Sequence, residues 1–322
     1  MKSQVTWDRG ICLGGHGMWL DPHTIRDLAF VSHAHSDHTR RHKLALMTPQ
    51  THDLLPPGRR PHQAQLVGLG QSCQLGSARL EMHDAGHILG SAMLLLEANS
   101  ERLLYTGDLK LRPLRRPAPT AIPRAQVLVM ESTYGEPRFR FPDPEEVLEE
   151  LARWCRRLIA ERVTPVLLAN ALGKSQELML ALASHGLRFA LESRCVPWVR
   201  GYERAGVVFP DWVALDPAAG VGTRVVMAPP AGKSEVRRLA HYRTALISGW
   251  TLDQRMRTHF GADAGFAYSD HCGFDELVEV AQLSGAATVY TVHGFAHELA
   301  QHLKRRGIRA CALRSNEQLE LL

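Results

Sequence analysis

The chain has no two cysteines close enough to suggest a disulfide framework or a CxxC metal or redox site. Its six cysteines, Cys12, Cys73, Cys155, Cys195, Cys272 and Cys311, are scattered over 322 residues, the usage expected in a reducing cytoplasm. Long apolar runs are missing too. None approaches the roughly 20 residues that span a bilayer, and Met1-Lys2-Ser3-Gln4-Val5-Thr6-Trp7-Asp8 lacks the apolar core of a signal peptide. The expectation is a cytoplasmic protein with no membrane anchor. Internal repeats and low-complexity tracts are absent, and so is a Walker A loop. Asn170-Ala171-Leu172-Gly173-Lys174-Ser175 has the right ending, but Leu168 stands where the first glycine is needed; Gly232-Lys233-Ser234 fails in the same way at Met227. Charge of one sign is not concentrated: 38 Lys and Arg against 33 Asp and Glu give a net +5, which permits an anionic partner without demanding one. With 45% apolar and 22% charged residues, the chain folds rather than staying disordered, and its length allows one large or two ordinary domains.

Two textures follow one another. Up to about Ser132, short strands alternate with Gly, Pro and polar stretches such as that around Ala64-Gln65; Arg79–His83, Ala92–Leu96 and Arg102–Tyr105 read as strands. From about Pro142, helices and strands alternate. A helix is expected over 144–162, a strand over 165–169, a helix over 174–184, a strand over 224–227, a helix over 234–242 and a strand over 245–248. Such alternation argues for a parallel, three-layered α/β sheet. After Gly265 the chain reads strand, helix over 274–283, strand over 288–292, helix and terminal strand.

The densest chemistry lies in Ser32-His33-Ala34-His35-Ser36-Asp37-His38, just after the apolar segment Leu28–Val31. Three histidines and an aspartate leaving a strand end suit zinc, manganese or iron rather than calcium. So short a loop cannot offer all four side chains to one ion, so two metals sharing it is the better reading. A solvated His-rich loop is the competing one. His87, in Ala85-Gly86-His87-Ile88-Leu89-Gly90-Ser91, and Asp108, in Thr106-Gly107-Asp108-Leu109, also follow apolar strands. His87 can complete a three-histidine site with His33 and His35. Asp108 can bridge two cations, as an imidazole cannot. Alone, each would pass as a turn residue.

His33, His35, Asp37, His38, His87 and Asp108 resemble, in order and context, the metal motifs of the metallo-β-lactamase superfamily. Asp21, in Trp19-Leu20-Asp21-Pro22, is similar to its earlier aspartate, which supports the metal loop. Glu131-Ser132-Thr133-Tyr134-Gly135, Tyr268-Ser269-Asp270-His271 and Val292-His293-Gly294 resemble the further motifs of the β-CASP nucleases, and Ala171-Leu172-Gly173-Lys174-Ser175-Gln176-Glu177 a stretch of their inserted domain. The resemblance implies an α/β fold, a metallo-β-lactamase αββα sandwich made of residues 1–133 and 264–322, with an inserted α/β (β-CASP) domain over 134–263. It implies a first metal on His33, His35 and His87, a second on Asp37, His38 and His293, and Asp108 between them. The two divalent ions would be zinc, or alternatively manganese. Glu131 and His271 would form an acid-base pair, with Asp37 counted beside them as catalytic.

Lys174, at a strand-to-helix turn of the kind that attracts anions, is the substrate-binding candidate; a solvated lysine is the alternative. Arg112, Arg115 and Arg116 are placed to track a nucleic-acid backbone or to lie on plain surface. The implied activity is metal-dependent hydrolysis of phosphodiesters. Histidine at 293 points to RNA-processing members of the family, whereas the local wording around His87, Asp108 and His271 is similar to the bacterial DNA ligase-associated exonuclease group. The expectation is a DNA exonuclease in repair, with a DNA ligase or helicase as partner and an RNA-processing nuclease as the alternative. A small-molecule thioesterase or lactamase would share the metal ligands but has no use for Glu131 with His271. A nonhydrolytic scaffold would be expected to lose ligands.

Overall fold

A computed structural model describes residues 5–114 and 118–313. The chain forms two compact units, one from residues 1–139 and 271–322, the other from 140–270. The first is thus discontinuous in sequence.

In the first unit, six strands form one mixed sheet in the order Val5–Trp7, Ile11–Leu13, Met18–Leu20, Leu28–Phe30, Leu44–Met47, Gln63–Leu66. Seven form the other, in the order Ala310–Ala312, Thr288–Val292, Val127–Glu131, Glu101–Tyr105, Ala92–Ala98, Ala78–Asp84, Ser72–Leu75. Alternation decides what each face buries. Leu80, Met82, Leu94, Leu96, Leu103, Tyr105 and Val129 pack into one core with Ile11, Leu13, Met18, Leu20, Phe30 and Leu46 of the other sheet. The intervening residues Met93, Leu95, Leu104, Leu128 and Met130 face a second core with Phe274, Leu277, Leu299 and Leu303, which belong to the helices Phe274–Ser284 and Ala296–Arg305. Two sheets and one helical layer result. On the side of the first sheet, the helix among the described residues is the six-residue Pro49–Leu54, against the edge strand Gln63–Leu66. That edge strand is the polar stretch around Ala64-Gln65. It is exposed at every position, so it has neither the alternation nor the apolar content that marks a strand.

The second unit holds six strands in one sheet, in the order Trp212–Ala214, Phe189–Leu191, Val225–Ala228, Thr164–Leu168, Tyr242–Ile247, Ala264–Phe266, every neighbouring pair parallel. The helix Pro144–Ala160 starts where Asp143 accepts from the N–H groups of Glu145 and Glu146 and Pro144 fills the first turn. It buries Val147, Leu148, Leu151, Ala152, Cys155 and Leu158. The helix expected over 234–242 is shorter, Lys233–Val236. Residues 237–241 form turn and bend, and Tyr242 is already paired in parallel with Thr164.

Candidate metal centre

The first unit brings its ligand-bearing loops together at strand ends. His33, His87 and Asp108 come shortly after Leu28–Phe30, Ala78–Asp84 and Glu101–Tyr105; His293 follows Thr288–Val292, and Glu131 closes Val127–Glu131. Parallel pairing sets Glu131 directly opposite Val292. Gly107 permits the close approach of two of these loops. Its φ is +55°, and a Cβ there would lie 2.6 Å from Cβ of Ser32, a contact no side chain tolerates.

Asp21 orients this cluster from behind. Buried and itself at φ 42°, it accepts the Ser32 N–H at 2.7 Å, the Ser32 hydroxyl, the Tyr105 hydroxyl at 2.8 Å and His38 Nδ1–H at 2.8 Å. With its proton given to Asp21, Ser32 Oγ can only accept, and it takes Nδ1–H of His33 at 2.9 Å. Both rings are therefore held in the tautomer whose Nε2 carries a lone pair. Those lone pairs face carboxylate oxygen: Nε2 of His33 and Nε2 of His38 each lie 3.4 Å from Asp108 Oδ2, and His38 Nε2 lies 3.5 Å from Asp37 Oδ2. Buried lone pairs pointing at carboxylates repel unless a cation or proton lies between them.

The spacing fits a metal ion. His35 Nδ1 is 3.0 Å from His33 Nε2 and 3.2 Å from His87 Nε2, and His87 Nε2 is 3.7 Å from Asp108 Oδ2. Nitrogens held at zinc-ligand distance on the corners of a tetrahedron would lie about 3.3–3.4 Å apart. His33, His35, His87 and Asp108 together form a group able to hold an ion. The protonation balance points the same way. Burial opposes charge on His38, yet Asp108, Asp37 and Asp21 outweigh it and raise its pKa well above the ordinary value. Burial lowers that of His33, with His38 adding to the effect. Burial also works against the Asp108 carboxylate, but His38 and His33 hold its pKa well below normal. The cluster demands positive charge between these groups.

His293 sits beside this group, its ring centroid 5.6 Å from that of His38. It also stacks on His23 at 6.3 Å and meets Trp7 edge-on at 6.4 Å. Its backbone has φ 63°, an unusual state for a non-glycine residue, and the Ser132 hydroxyl accompanies it by donating to the carbonyls of Val292 and His293 at 2.8 and 2.6 Å.

Glu131 and His271 form a separate pair. His271 Nδ1 lies 3.0 and 3.1 Å from the two carboxylate oxygens. Glu131 also accepts the Leu109 N–H at 2.6 Å, and its own N–H donates to Thr106 Oγ1. With Nδ1 engaged by Glu131, Nε2 lies 4.0 Å from Asp108 Oδ2. The centre can thus offer a cation site and, against it, one aimed proton-transfer group.

Other expected contacts fall differently. Lys174 belongs to the second unit, buried at 4% exposure, with Nζ 3.0 Å from Asp270 Oδ1. The N–H of Gly173 goes to Gln176 Oε1 and that of Ser175 to the Asn170 carbonyl. These groups serve the turn itself, so Lys174 meets a substrate phosphate only by giving up a buried carboxylate. Arg112 is bound to Glu279 at 2.6 and 2.7 Å and lies 3.5 Å from Glu276; Arg115 and Arg116 lie outside the described residues. Sequence reading missed Ser32, Tyr105 and Thr106. Each is an ordinary residue in the sequence, and only its hydrogen bond to Asp21 or Glu131 gives it a part.

No family model matches the chain. Among curated proteins it is similar to a probable DNA ligase of Opitutus terrae, 39% identical over 326 residues that cover all of this chain and 32% of that protein. It is also similar to an RNase J-like protein of Methanocaldococcus jannaschii, 33% identical over 109 residues, 33% of this chain and 26% of the other. The chain spans about a third of the length of the first relative and about a quarter of the second. Among solved structures, a protein of unknown function from Enterococcus faecalis V583 matches 90% of this chain and 79% of its own with a TM-score of 0.54 at 15% identity, a likeness of fold.

Proposed function

We propose that this chain, a relative of the β-CASP nucleases of the metallo-β-lactamase superfamily, is a metal-dependent phosphodiesterase that hydrolyses DNA, as an exonuclease of repair. The observation that carries the reading is the convergence of His33, His35, His87, His38 and Asp108 on one another beside the Glu131–His271 pair. Two divalent ions, zinc or alternatively manganese, held by His33, His35 and His87, by Asp37, His38 and His293, and by Asp108 in common, would supply Lewis acidity toward a phosphodiester and make water nucleophilic at neutral pH.

The chain's own groups do the rest. Asp21, through Ser32 and His38, keeps ring nitrogens aimed inward so that nothing has to reorganise during the reaction. Glu131 fixes His271 with Nδ1–H toward the carboxylate and leaves Nε2 to give a proton to the departing sugar oxygen. Asp37 contributes a second carboxylate, 3.5 Å from His38 Nε2. A thioester hydrolase, whose thiolate departs without a proton, would have no use for this second proton donor.

DNA is favoured because the relative covering the whole chain is named a probable DNA ligase. In that setting the partner is a ligase, joined to or acting with the nuclease, or a helicase. RNA cleavage is the second reading, favoured by the RNase J-like relative over a third of the chain. End-labelled single- and double-stranded DNA and RNA, incubated with the chain and zinc or manganese, test both. The expected result is stepwise shortening of DNA that stops on chelation. Cutting of RNA alone would replace the DNA reading, and full activity in chelator would remove the metal centre from the chemistry.

A further inference from the structure

The second unit carries a basic cavity that the nuclease chemistry does not use. It has a volume of about 630 Å³ and is lined by Lys233, Arg237, His241, Tyr242, Arg243 and Asp263, among others. Its floor comes from the amino ends of three parallel strands: Val163 precedes Thr164–Leu168, Tyr242 and Arg243 open Tyr242–Ile247, and Asp263 precedes Ala264–Phe266. The turn carrying Lys174 follows a carboxyl end of the same sheet, so the two features lie at opposite poles of it.

The cavity is short of negative charge. Lys233, Arg237 and Arg243 face a single carboxylate, Asp263, and that carboxylate is already engaged. Its Oδ2 accepts from the Thr244 N–H at 2.7 Å and the Thr244 hydroxyl at 2.9 Å, and its Oδ1 lies 3.8 Å from Arg243 Nε. The Lys233 ammonium donates to the neutral carbonyl of Phe260, and burial together with nearby Arg237 lowers its pKa. Arg237, exposed, has no ion pair among the described residues. Like charges gathered in a concavity without counter-charge mark an anion site, and guanidinium groups suit phosphate oxygens.

We propose that this cavity binds a phosphate-bearing ligand of nucleotide size, with Arg237, Arg243 and Lys233 on the phosphate. The volume is what commits the reading to more than an inorganic ion, since small-molecule sites run from roughly 300 to 1,000 Å³. The ligand's organic part lies along the wall to which Tyr242 contributes.

Calorimetric titration of the full chain with AMP, inorganic phosphate and adenosine, in chelator so that no metal site competes, tests this. AMP is expected to bind more tightly than phosphate, and adenosine not to bind. The double substitution Arg237→Glu with Arg243→Glu is expected to weaken AMP by about tenfold or more, with hydrolysis of bis(p-nitrophenyl) phosphate by the metal-supplied protein unchanged. Should the double variant unfold on heating below the parent, Arg237→Glu alone carries the test, because the exposed Arg237 side chain makes no hydrogen bond or ion pair among the described residues. AMP binding unaltered by these changes, or no binding of AMP or phosphate up to about 10 mM, overturns the proposal. Phosphate binding as tightly as AMP would overturn the nucleotide-sized ligand.

Discussion

Asp21 is one carboxylate accepting four hydrogen bonds, from the Ser32 N–H and hydroxyl, Tyr105 and His38. Replacing it by Asn keeps the shape but removes the acceptor from Ser32, Tyr105 and His38, so metal affinity should fall about 10- to 100-fold; competition with a chromogenic chelator reads this directly, and undiminished affinity would deny Asp21 its orienting part. His271→Gln should lower kcat/KM on DNA by about 10² to 10⁴, with a much smaller loss on bis(p-nitrophenyl) phosphate, whose leaving group needs no proton. Equal losses on the two substrates would count against proton donation by His271. His42 sets a pH limit of its own. Buried, it accepts the Arg26 N–H on Nδ1, and burial lowers its pKa to about 4. The folded form therefore refuses a proton that the unfolded chain binds below about pH 6.5. Its contribution is whole above that pH and declines as pH falls, reaching a loss of about 3 kcal/mol near pH 4. His42→Asn should flatten that part of the pH dependence in urea unfolding; an unchanged slope would place the proton elsewhere.

Among elements, the helix Lys174–Leu182 commits its first residue, a lysine, to a buried ion pair rather than to solvent. Lys174→Met removes the cation 3.0 Å from the buried Asp270 carboxylate and should cost about 3–5 kcal/mol in unfolding measurements; a cost below about 1 kcal/mol, the range of exposed pairs, would mean that the pair is open to water. The same helix explains what could be foreseen. Its start, like those of Ala92–Ala98 and Phe274–Ser284, was legible because apolar periodicity and a clear start signal coincide, while the ends fell one or two residues from those expected. The three-residue strands Phe189–Leu191 and Trp212–Ala214 were not, since so few residues hold no period and pairing with neighbours alone makes them strands. In the centre, histidine and aspartate spacing announced a metal group, whereas Ser32 and Tyr105 gave no sign: their importance lies in a distance to Asp21, and distances across the fold are not written in local sequence.

For the whole molecule, the proposed metal centre predicts a link between metal and stability. Ligand bound only by the folded state stabilises it by about 2.7 kcal/mol at a hundredfold excess over Kd, so stripping zinc should lower the unfolding midpoint of the chain, and a variant with His33 and His35 replaced by Ala should lose that dependence. A midpoint indifferent to metal would contradict a preformed site. The two textures of the sequence correspond to a mixed-sheet unit and an all-parallel one, because alternation of helix and strand forces parallel crossovers while hairpins do not. The first unit is completed only by residues 271–322, and this has a consequence for the cell that makes it. Ribosomes release the chain from the amino end at about 5–20 residues per second, so the histidine-rich loop emerges long before His271 and His293. Every truncated product ending within the first 270 residues lacks the proposed proton donor and the last ligand. The proposed nuclease would thus have no complete centre until residues 271–293 have left the ribosome.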